Sequence, residues 1–235
     1  MGAAPTGSRI LVYDLESTSL NADDGDLLVF AYKWLDEKKA HVPSVLDTCL
    51  PCDGCKRIHI DDRALVRQAH AIMSQADVML TFNGKNFDIK YMQSKFMRYG
   101  LPALPEISHV DLYQTARTKM RLTRKSLANI SHYLQLTNEK TKLDWDIWRR
   151  AAKGYTKEIR YIRDHGAADI YVTQELYEKH MRQYVRQHPR VSGYGPCRRC
   201  GADTLERRGV AVTILKGQQH RYQCRTCAGW EQRAA

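Results

Sequence analysis

The sequence lacks the features that mark secreted, membrane-spanning and repetitive proteins. No basic segment followed by an apolar run stands at the start of the chain, so we expect no secretory signal. No apolar stretch approaches the roughly 20 residues that a helix needs to span a bilayer. There is also no low-complexity tract, and no repeat with a period of about 20 to 50 residues. We therefore expect a soluble protein of the cytoplasm or another intracellular space, with no membrane partner.

Positive charge is what the chain has in excess. It carries 37 basic and 26 acidic residues, for a formal net charge of +11. Clustered Lys and Arg replace counterions along a phosphate backbone, so this bias favours nucleic acid as a partner. A basic surface without a dedicated partner is the alternative, and composition alone favours nucleic acid only slightly. With 235 residues, 43% of them hydrophobic, the chain is long enough for one main domain and a smaller unit.

Hydrophobic patterning predicts an α/β fold with a mixed sheet flanked by helices. Apolar runs predict strands over residues 9–16, 26–34 and 77–82, and a further strand near 40–46. Helical periodicity predicts helices over residues 62–75, 87–98, 111–120, 125–135 and 156–185. Strands that come first and then alternate with helices are typical of such a sheet. A segment rich in Gly and Pro, 189–196, predicts a linker between a domain over residues 1–188 and a small unit over 197–235.

Two acidic residues stand at the end of the first predicted strand. Asp14 and Glu16 are two positions apart, so their side chains point to the same face. Carboxylates placed together beside apolar residues repel each other unless cations lie between them. The alternative is a strand that runs out into solvent, and this pair taken alone favours that alternative.

Two later segments add acidic residues at the edges of predicted elements. Asp88 ends a short turn that follows a buried strand and opens a helix, where open α/β sheets commonly bind ligands. The alternative is an acidic residue favoured by the dipole in a first helical turn. On the last helix Tyr161, His165 and Asp169 are spaced by four and share one face. A polar stripe in water would explain each of them singly, but three acidic elements in this order favour one joint site.

These segments resemble the three motifs of the DEDD exonuclease superfamily. The run Tyr-Asp-Leu-Glu-Ser-Thr-Ser-Leu at 13–20 resembles the first motif, Asn-Gly-Lys-Asn-Phe-Asp at 83–88 the second, and His-Gly-Ala-Ala-Asp at 165–169 the third. The resemblance spans roughly residues 9–185. It is nearest to stand-alone exonucleases related to the proofreading domains of B-family DNA polymerases, and it includes the segment 109–113, where we expect Asp111 to be structural. It implies a ribonuclease H-like fold and 3′→5′ exonuclease activity.

The resemblance also implies a metal site and substrate contacts. Two Mg²⁺ or Mn²⁺ ions would be held by four carboxylates: Asp14, Glu16, Asp88 and Asp169. Such ions activate a water and stabilise the leaving 3′-oxygen, and hard cations of this kind prefer oxygen ligands. Thr18 and Leu20 match positions that meet the terminal nucleotide, and Asn83 matches a position near the substrate strand.

The third motif departs from the superfamily pattern. The superfamily carries Tyr four residues before the last Asp, or His five residues before it. Here His165 stands at the four-residue spacing and Asp164 at five. Because the pKa of His lies near neutrality, we expect His165 to orient or deprotonate the attacking water.

Four cysteines near the end of the chain form two Cys-x2-Cys pairs: Cys197 and Cys200, then Cys224 and Cys227. Four thiolates at this spacing predict a tetrahedral structural Zn²⁺ and a zinc ribbon, since so small a unit hardly folds without one. From residue 190 on, nine basic residues stand against three acidic ones. With Tyr222 and Trp230 as stacking surfaces, we expect the ribbon to bind nucleic acid. Docking to a protein is the alternative.

A second cysteine group stands before the first predicted helix. Cys49, Cys52 and Cys55, together with His59 or His41, have the residue types of a second zinc site. A reduced surface loop is the alternative, and the sequence only slightly favours metal.

The leading functional hypothesis is a 3′→5′ exonuclease acting on DNA or RNA. One rival is a structure-specific endonuclease on the same fold. The other is a nucleic-acid-binding module with little or no catalysis. The sequence indicates neither DNA nor RNA as the preferred strand, and it carries no signal of oligomeric state.

Overall fold

The structure of the protein, a computed structural model, describes most of the chain. The described residues are 9–52, 54, 56–105, 107–138, 143–185, 197, 199–213 and 217–234. The segment 189–196, which we expect to be a linker, and the domain boundary before it lie outside these ranges. None of the helices within them combines the length and apolar character needed to cross a bilayer.

A four-stranded mixed sheet forms the centre of the larger unit. Its strands are β1 (Ile10–Ser17), β2 (Leu27–Trp34), β3 (Val78–Thr81) and β4 (Ser108–Asp111), in the order β2-β1-β3-β4. Strand β1 pairs antiparallel with β2 and parallel with β3, and β3 pairs parallel with β4. The prediction of an α/β fold with a mixed sheet is therefore confirmed.

Within the part of the chain that the structure describes, six helices accompany the sheet. They are α1 (Arg63–Met73), α2 (Asp88–Arg98), α3 (Leu112–Lys119), α4 (Leu127–Leu134), α5 (Trp145–Ala151) and α6 (Thr156–Glu175). Helix α6 continues through a π-helical turn, Leu176–Met181, into a 3-10 turn, Arg182–Tyr184. We call residues 176–184 the α6 extension. It accounts for the long helix that the sequence predicts over 156–185.

The core lies on both faces of β1. Leu11 and Val12 are neighbours in the strand, so their side chains point to opposite faces, and both are fully buried. A strand buried on both faces is typical of a sheet covered by helices on each side. Helix α6 packs directly against β1 and β2. This packing places the middle of α6 over the carboxyl half of β1.

The prediction of a strand near residues 40–46 is wrong. Only isolated bridges at His41 and Ser44 join this segment to β2. Pro43 lies between them, and because proline has no N–H to donate it interrupts a ladder. The chain then forms a 3-10 helix over Val45–Asp47, capped by the Ser44 hydroxyl. Strand β4 and helix α5 form where the sequence analysis predicts no separate element.

The C-terminal unit is a small antiparallel sheet. Strands β5 (Leu205–Thr213), β6 (Gly217–Cys224) and β7 (Trp230–Ala234) lie in that order. Its core consists of the buried cysteines with a few partly buried apolar residues. We call the described residues from 197 to 234 the ribbon. It contacts the larger unit where the Arg182 guanidinium of the α6 extension donates to the Gly201 carbonyl at 2.6 Å.

Candidate active site and metal centre

Strand β1 carries the first two carboxylates into a buried setting. Glu16 is only 7% exposed, and Asp14 is half-buried. The pairing of β1 with β2 shifts register between Glu16 and Ser17, so the ladder is irregular just where these side chains stand. The structure thus differs from the alternative in which this strand end runs out into solvent.

Asp88 comes to the same place from the start of α2. Its side chain is 4% exposed, and its Oδ1 accepts the N–H of Leu15 at 3.1 Å. Leu15 stands between the two carboxylates of β1, so this bond brings the third one beside them. Burial raises the pKa of Asp88 to about 7, and the charge of Asp111 adds to the effect, while the Leu15 N–H opposes it. A nearby positive charge would favour the ionised carboxylate.

A clamp at Asp111 holds the turn that leads to Asp88. Asp111 ends β4, is buried, and accepts the N–H groups of Asn83 and Lys85, each at 3.0 Å. Asn83 has a φ of 71°, in the left-handed region that Asn tolerates better than most residues. A Cβ on Gly84 would stand 2.5 Å from the Thr81 hydroxyl oxygen, so only glycine fits there. Asp111 therefore has the structural setting that the sequence analysis expects.

Helix α6 adds His165 and Asp169, both 5% exposed. The His165 Nε2 atom lies 3.8 Å from Glu16 Oε1 and 3.8 Å from Asp169 Oδ2. The imidazole therefore stands between a carboxylate of β1 and a carboxylate of its own helix. Tyr161, one turn earlier, is 44% exposed.

Gly166 permits the close approach of α6 to the sheet. A Cβ at this position would lie 3.2 Å from the Ala31 Cβ and 3.7 Å from the Glu16 Cγ. The first distance is shorter than ordinary van der Waals contact. The glycine thus brings His165 and Asp169 within reach of β1, a role that the sequence analysis does not assign to it. Its position directly after His165 in the third motif is the only signal in the sequence.

Residues 11–181 match the RNase H superfamily. The chain belongs to the RNase H superfamily. The match runs from β1 to the end of the π-helical turn and so includes all four carboxylates. Members of the RNase H superfamily are typically nucleases, and the fold implies a nucleic-acid substrate. No curated protein matches the chain.

The three residues with expected substrate contacts lie around the same strand end of this RNase H superfamily domain. Thr18 is held to the start of β2, since its hydroxyl accepts the Asp26 N–H at 2.8 Å. Leu20 is 80% exposed and borders a cleft of about 320 Å³ whose lining also includes Phe87 and Lys90. The Asn83 side-chain oxygen accepts an amide N–H of Asn86 at 2.9 Å.

The carboxylates offer oxygen ligands, which hard divalent cations prefer. They come from β1, α2 and α6, and three of the four are buried. Within the described residues, their oxygens do not form a group that lies entirely within 4.8 Å, as the ribbon cysteines do. A donor set of four carboxylates, three of them buried, has the oxygen chemistry that fits Mg²⁺ or Mn²⁺.

The ribbon brings four sulfurs together as a candidate metal site. The Sγ atoms of Cys197, Cys200, Cys224 and Cys227 all lie within 4.8 Å of one another. The Cys197–Cys227 and Cys200–Cys224 pairs are 3.8 and 3.6 Å apart. A tetrahedron with Zn–S bonds of about 2.3 Å has edges of about 3.8 Å. The four cysteines can therefore bind one Zn²⁺.

Local hydrogen bonds prepare one of these sulfurs for metal. Burial would raise the pKa of the Cys224 thiol, but bonds from the Thr204 hydroxyl and the N–H groups of Cys227 and Thr226 lower it to about 6. The pKa of Cys200 is instead raised, first by burial, to about 12. A thiolate is the form that binds zinc, and the hydrogen-bond donors around Cys224 stabilise that form.

One of the two expected stacking residues is buried. Tyr222 is 5% exposed, and the Arg233 guanidinium lies over its ring. The sequence-based interpretation of Tyr222 as a stacking surface is therefore wrong, because its position in β6 faces the inside of the ribbon. Trp230 is 53% exposed, as that interpretation requires.

The cysteines before α1 do not form a complete ligand set within the described residues. Cys49 is a free thiol whose Sγ lies 3.3 Å from the Asp61 carbonyl oxygen. Cys52 is disulfide-bonded, and a zinc site would require its reduced thiolate. Cys55 lies outside the described residues, and His59 is exposed. The second zinc site stays a prediction.

Proposed function

We propose that the RNase H-like domain is a metal-dependent 3′→5′ exonuclease that hydrolyses phosphodiester bonds of DNA or RNA. The observation that carries this proposal is the meeting of buried acidic side chains from three elements at one end of β1. Asp88 bonds to the backbone of β1 beside Glu16, and His165 lies between Glu16 and Asp169. Buried acids alone do not indicate a reaction. In the RNase H superfamily, whose fold implies a nucleic-acid substrate, they indicate a site that binds metal ions and hydrolyses phosphodiester bonds.

Two Mg²⁺ or Mn²⁺ ions would be held by Asp14, Glu16, Asp88 and Asp169. When bound, such ions supply a water of lowered pKa and a positive charge at the reacting phosphate. The residues of the chain then orient the substrate and move the proton. His165 stands between Glu16 and Asp169, where it can accept a proton from the attacking water, and the two carboxylates stabilise the resulting imidazolium.

The side chains at the end of β1 support attack on a terminal nucleotide. Leu20 is a large apolar side chain held in solvent beside a cleft that begins near Asp88. Such a side chain can pack against a terminal base and separate it from the next one. We propose that Thr18, two residues before Leu20, and Asn83, which follows β3, contact the terminal sugar and phosphate.

End-labelled strands test the reaction and its direction. With a 5′-labelled strand and Mg²⁺ or Mn²⁺, we expect a ladder that shortens stepwise from the 3′ end, and no products in EDTA. A strand labelled at its 3′ nucleotide should release labelled mononucleotide first. Internal fragments without a ladder would support the structure-specific endonuclease instead. Binding without cleavage under every metal condition would support the non-catalytic module.

Replacing His165 with Ala should slow single-turnover hydrolysis by about 100-fold, because proton transfer to a placed side chain contributes about this much. Asp164→Ala is the matched control, since Asp164 is exposed one residue earlier on the same helix. Full activity in His165→Ala, together with loss of activity in Asp169→Ala, would contradict the role proposed for the imidazole.

Replacing Gly166 with Ala should lower hydrolysis by about 10-fold with a small change in stability. The added Cβ, at 3.2 Å from the Ala31 Cβ, must push α6 away from the sheet by a few tenths of an ångström. Small displacements of reacting groups lower the rate of hydrolysis. In the free energy of unfolding, the gain of about 1 kcal/mol in helix propensity offsets part of the destabilisation by crowding. Adding Ala31→Gly should restore activity by removing the contacting methyl group. No recovery in the double variant would show that the loss has another cause.

The ribbon is proposed to assist substrate binding. Its Trp230 ring is half exposed, with the Arg221 guanidinium 4.8 Å from the ring centroid. Cations beside an accessible ring are typical of surfaces that contact nucleic acid.

A further inference from the structure

A cleft of about 950 Å³ lies between the ribbon and the α6 extension. We call it the ribbon cleft and describe it by six of its lining residues: Lys119, Lys179, Arg182, Tyr184, Arg199 and Trp230. The first four belong to the RNase H-like unit and the last two to the ribbon. The bond from Arg182 to the Gly201 carbonyl joins the two walls.

The charge of the ribbon cleft fits an anion. Four Lys and Arg residues line the cleft, and three of them, Lys119, Lys179 and Arg199, are exposed. Two carboxylates also line the cleft, Glu178 and Glu231, but Glu231 forms an ion pair with Arg233 inside the ribbon. Lys179 bonds to Glu175 on its own helix and still leaves 58% of its side chain exposed. Lys and Arg clustered in a concave surface attract a phosphate backbone.

The aromatic residues of the ribbon cleft favour a nucleic-acid ligand with unpaired bases. Tyr184 is 52% exposed and Trp230 is 53% exposed, and they stand on opposite walls. Exposed rings beside cations bind single strands by stacking on successive bases. The bases of a duplex are already stacked on each other and offer no face to these rings. The combination therefore favours a single strand over a duplex.

The position of the ribbon cleft along α6 relates it to the carboxylates. Lys179 and Arg182 follow Asp169 by ten and thirteen residues on one continuous helical segment. At about 1.5 Å per residue, they stand about 15 to 20 Å along the helix from Asp169. At about 3.4 Å per nucleotide of a stacked strand, this span corresponds to about 4 to 6 nucleotides.

We propose that the ribbon cleft binds the single-stranded part of the substrate, about 4 to 6 nucleotides from the terminal nucleotide at the carboxylates. The inference rests on the proposed function and names its substrate class: a strand whose 3′ end is unpaired over at least this length. Phosphates contact the basic residues on both walls, and bases stack on Tyr184 and Trp230.

Equilibrium binding of labelled oligothymidylate and oligouridylate tests this proposal in the full, zinc-loaded chain. Fluorescence anisotropy without added Mg²⁺ or Mn²⁺ separates binding from hydrolysis. We expect a dodecanucleotide to bind at least about 10-fold more tightly than a trinucleotide or a twelve-base-pair duplex. Trp230→Ala should weaken dodecanucleotide binding by about 5- to 100-fold, the usual effect of removing one stacking ring. Lys119→Ala should lower the slope of log affinity against log salt by about 0.7.

Two control variants match these changes outside the ribbon cleft. Trp145→Ala removes a ring that is 76% exposed on α5, and Lys39→Ala removes an exposed lysine after β2. Both should bind the dodecanucleotide like the unaltered chain. Zinc content per chain checks that the ribbon of Trp230→Ala is folded, and Lys119→Ala changes only the other wall.

Unchanged dodecanucleotide affinity in both cleft variants would overturn the proposal, as would duplex binding equal to that of the single strand. A failure of the proposed function gives a different result. In that case the cleft variants still weaken binding, but no strand is hydrolysed in Mg²⁺ or Mn²⁺. If the dodecanucleotide is hydrolysed but the cleft variants bind it as tightly as the unaltered chain, the proposed function stands and the role of the ribbon cleft in binding is rejected.

Discussion

Replacing Asp88 with Asn should lower hydrolysis by about 1,000-fold or more while the protein stays folded. The amide keeps the size of the side chain and can still accept the Leu15 N–H, but it loses the charge that a bound cation needs. Burial raises the pKa of Asp88 to about 7 because the ionised carboxylate is unfavourable inside the protein. The neutral amide removes this unfavourable charge. We therefore expect the free energy of unfolding to stay the same or to rise while activity is lost. Single-turnover hydrolysis and urea unfolding measure the two effects.

Asp164→Asn is the control for this prediction. Asp164 lies on α6 next to His165, but it is exposed, and it should tolerate the amide without loss of activity. Asp169→Asn should behave like Asp88→Asn. An Asp88→Asn variant that hydrolyses strands at the original rate would contradict the assignment of this carboxylate.

Replacing Cys224 with Ser should unfold the ribbon and leave the RNase H-like unit folded. The ribbon core consists mainly of the cysteines themselves, so little apolar packing remains without metal. Apparent zinc-binding energies of small metal-dependent units, about 10 to 16 kcal/mol, exceed the stability of any unit this size. We expect zinc to fall by one ion per chain and limited proteolysis to remove the ribbon while residues 9–185 resist.

Cys49→Ser is the comparison for the zinc measurement. If the unaltered chain holds one zinc ion, this change should leave the ratio near one. A ratio near two that falls to one in Cys49→Ser would establish the second zinc site of Cys49, Cys52, Cys55 and His59. A Cys224→Ser variant that keeps its zinc and its resistance to protease would contradict the four-cysteine centre.

The elements that the sequence predicts best are those whose patterns are long. Strand β1 is a continuous apolar run, and α6 with its extension follows a sustained helical spacing. Shorter elements are harder to predict. Strand β4 has only four residues, and its first half is polar and half-buried because it lies at the edge of the sheet. The segment near 40–46 has strand-like composition, but Pro43 interrupts the ladder, so only isolated bridges to β2 form.

Spacing predicts which residues share a face, and it does so for Asp14 and Glu16 and for His165 and Asp169. It does not predict contacts between residues that are far apart in the chain. The bond from Leu15 to Asp88 joins positions 73 residues apart, and the fit of Gly166 against Ala31 depends on the packing of a helix on a sheet. Tyr222 shows the same limit, since alternation along β6 does not indicate which face of a small sheet is buried.

The binding of Mn²⁺ to the zinc-loaded chain tests the carboxylate metal centre most directly, measured by isothermal titration calorimetry with a short single strand whose linkages resist hydrolysis. We expect two Mn²⁺ ions per chain in the presence of the strand, and a loss of this binding in Asp88→Asn and Asp169→Asn but not in Asp164→Asn. Mn²⁺ binding that is absent, or that is the same in all three variants, would contradict a metal centre at these carboxylates.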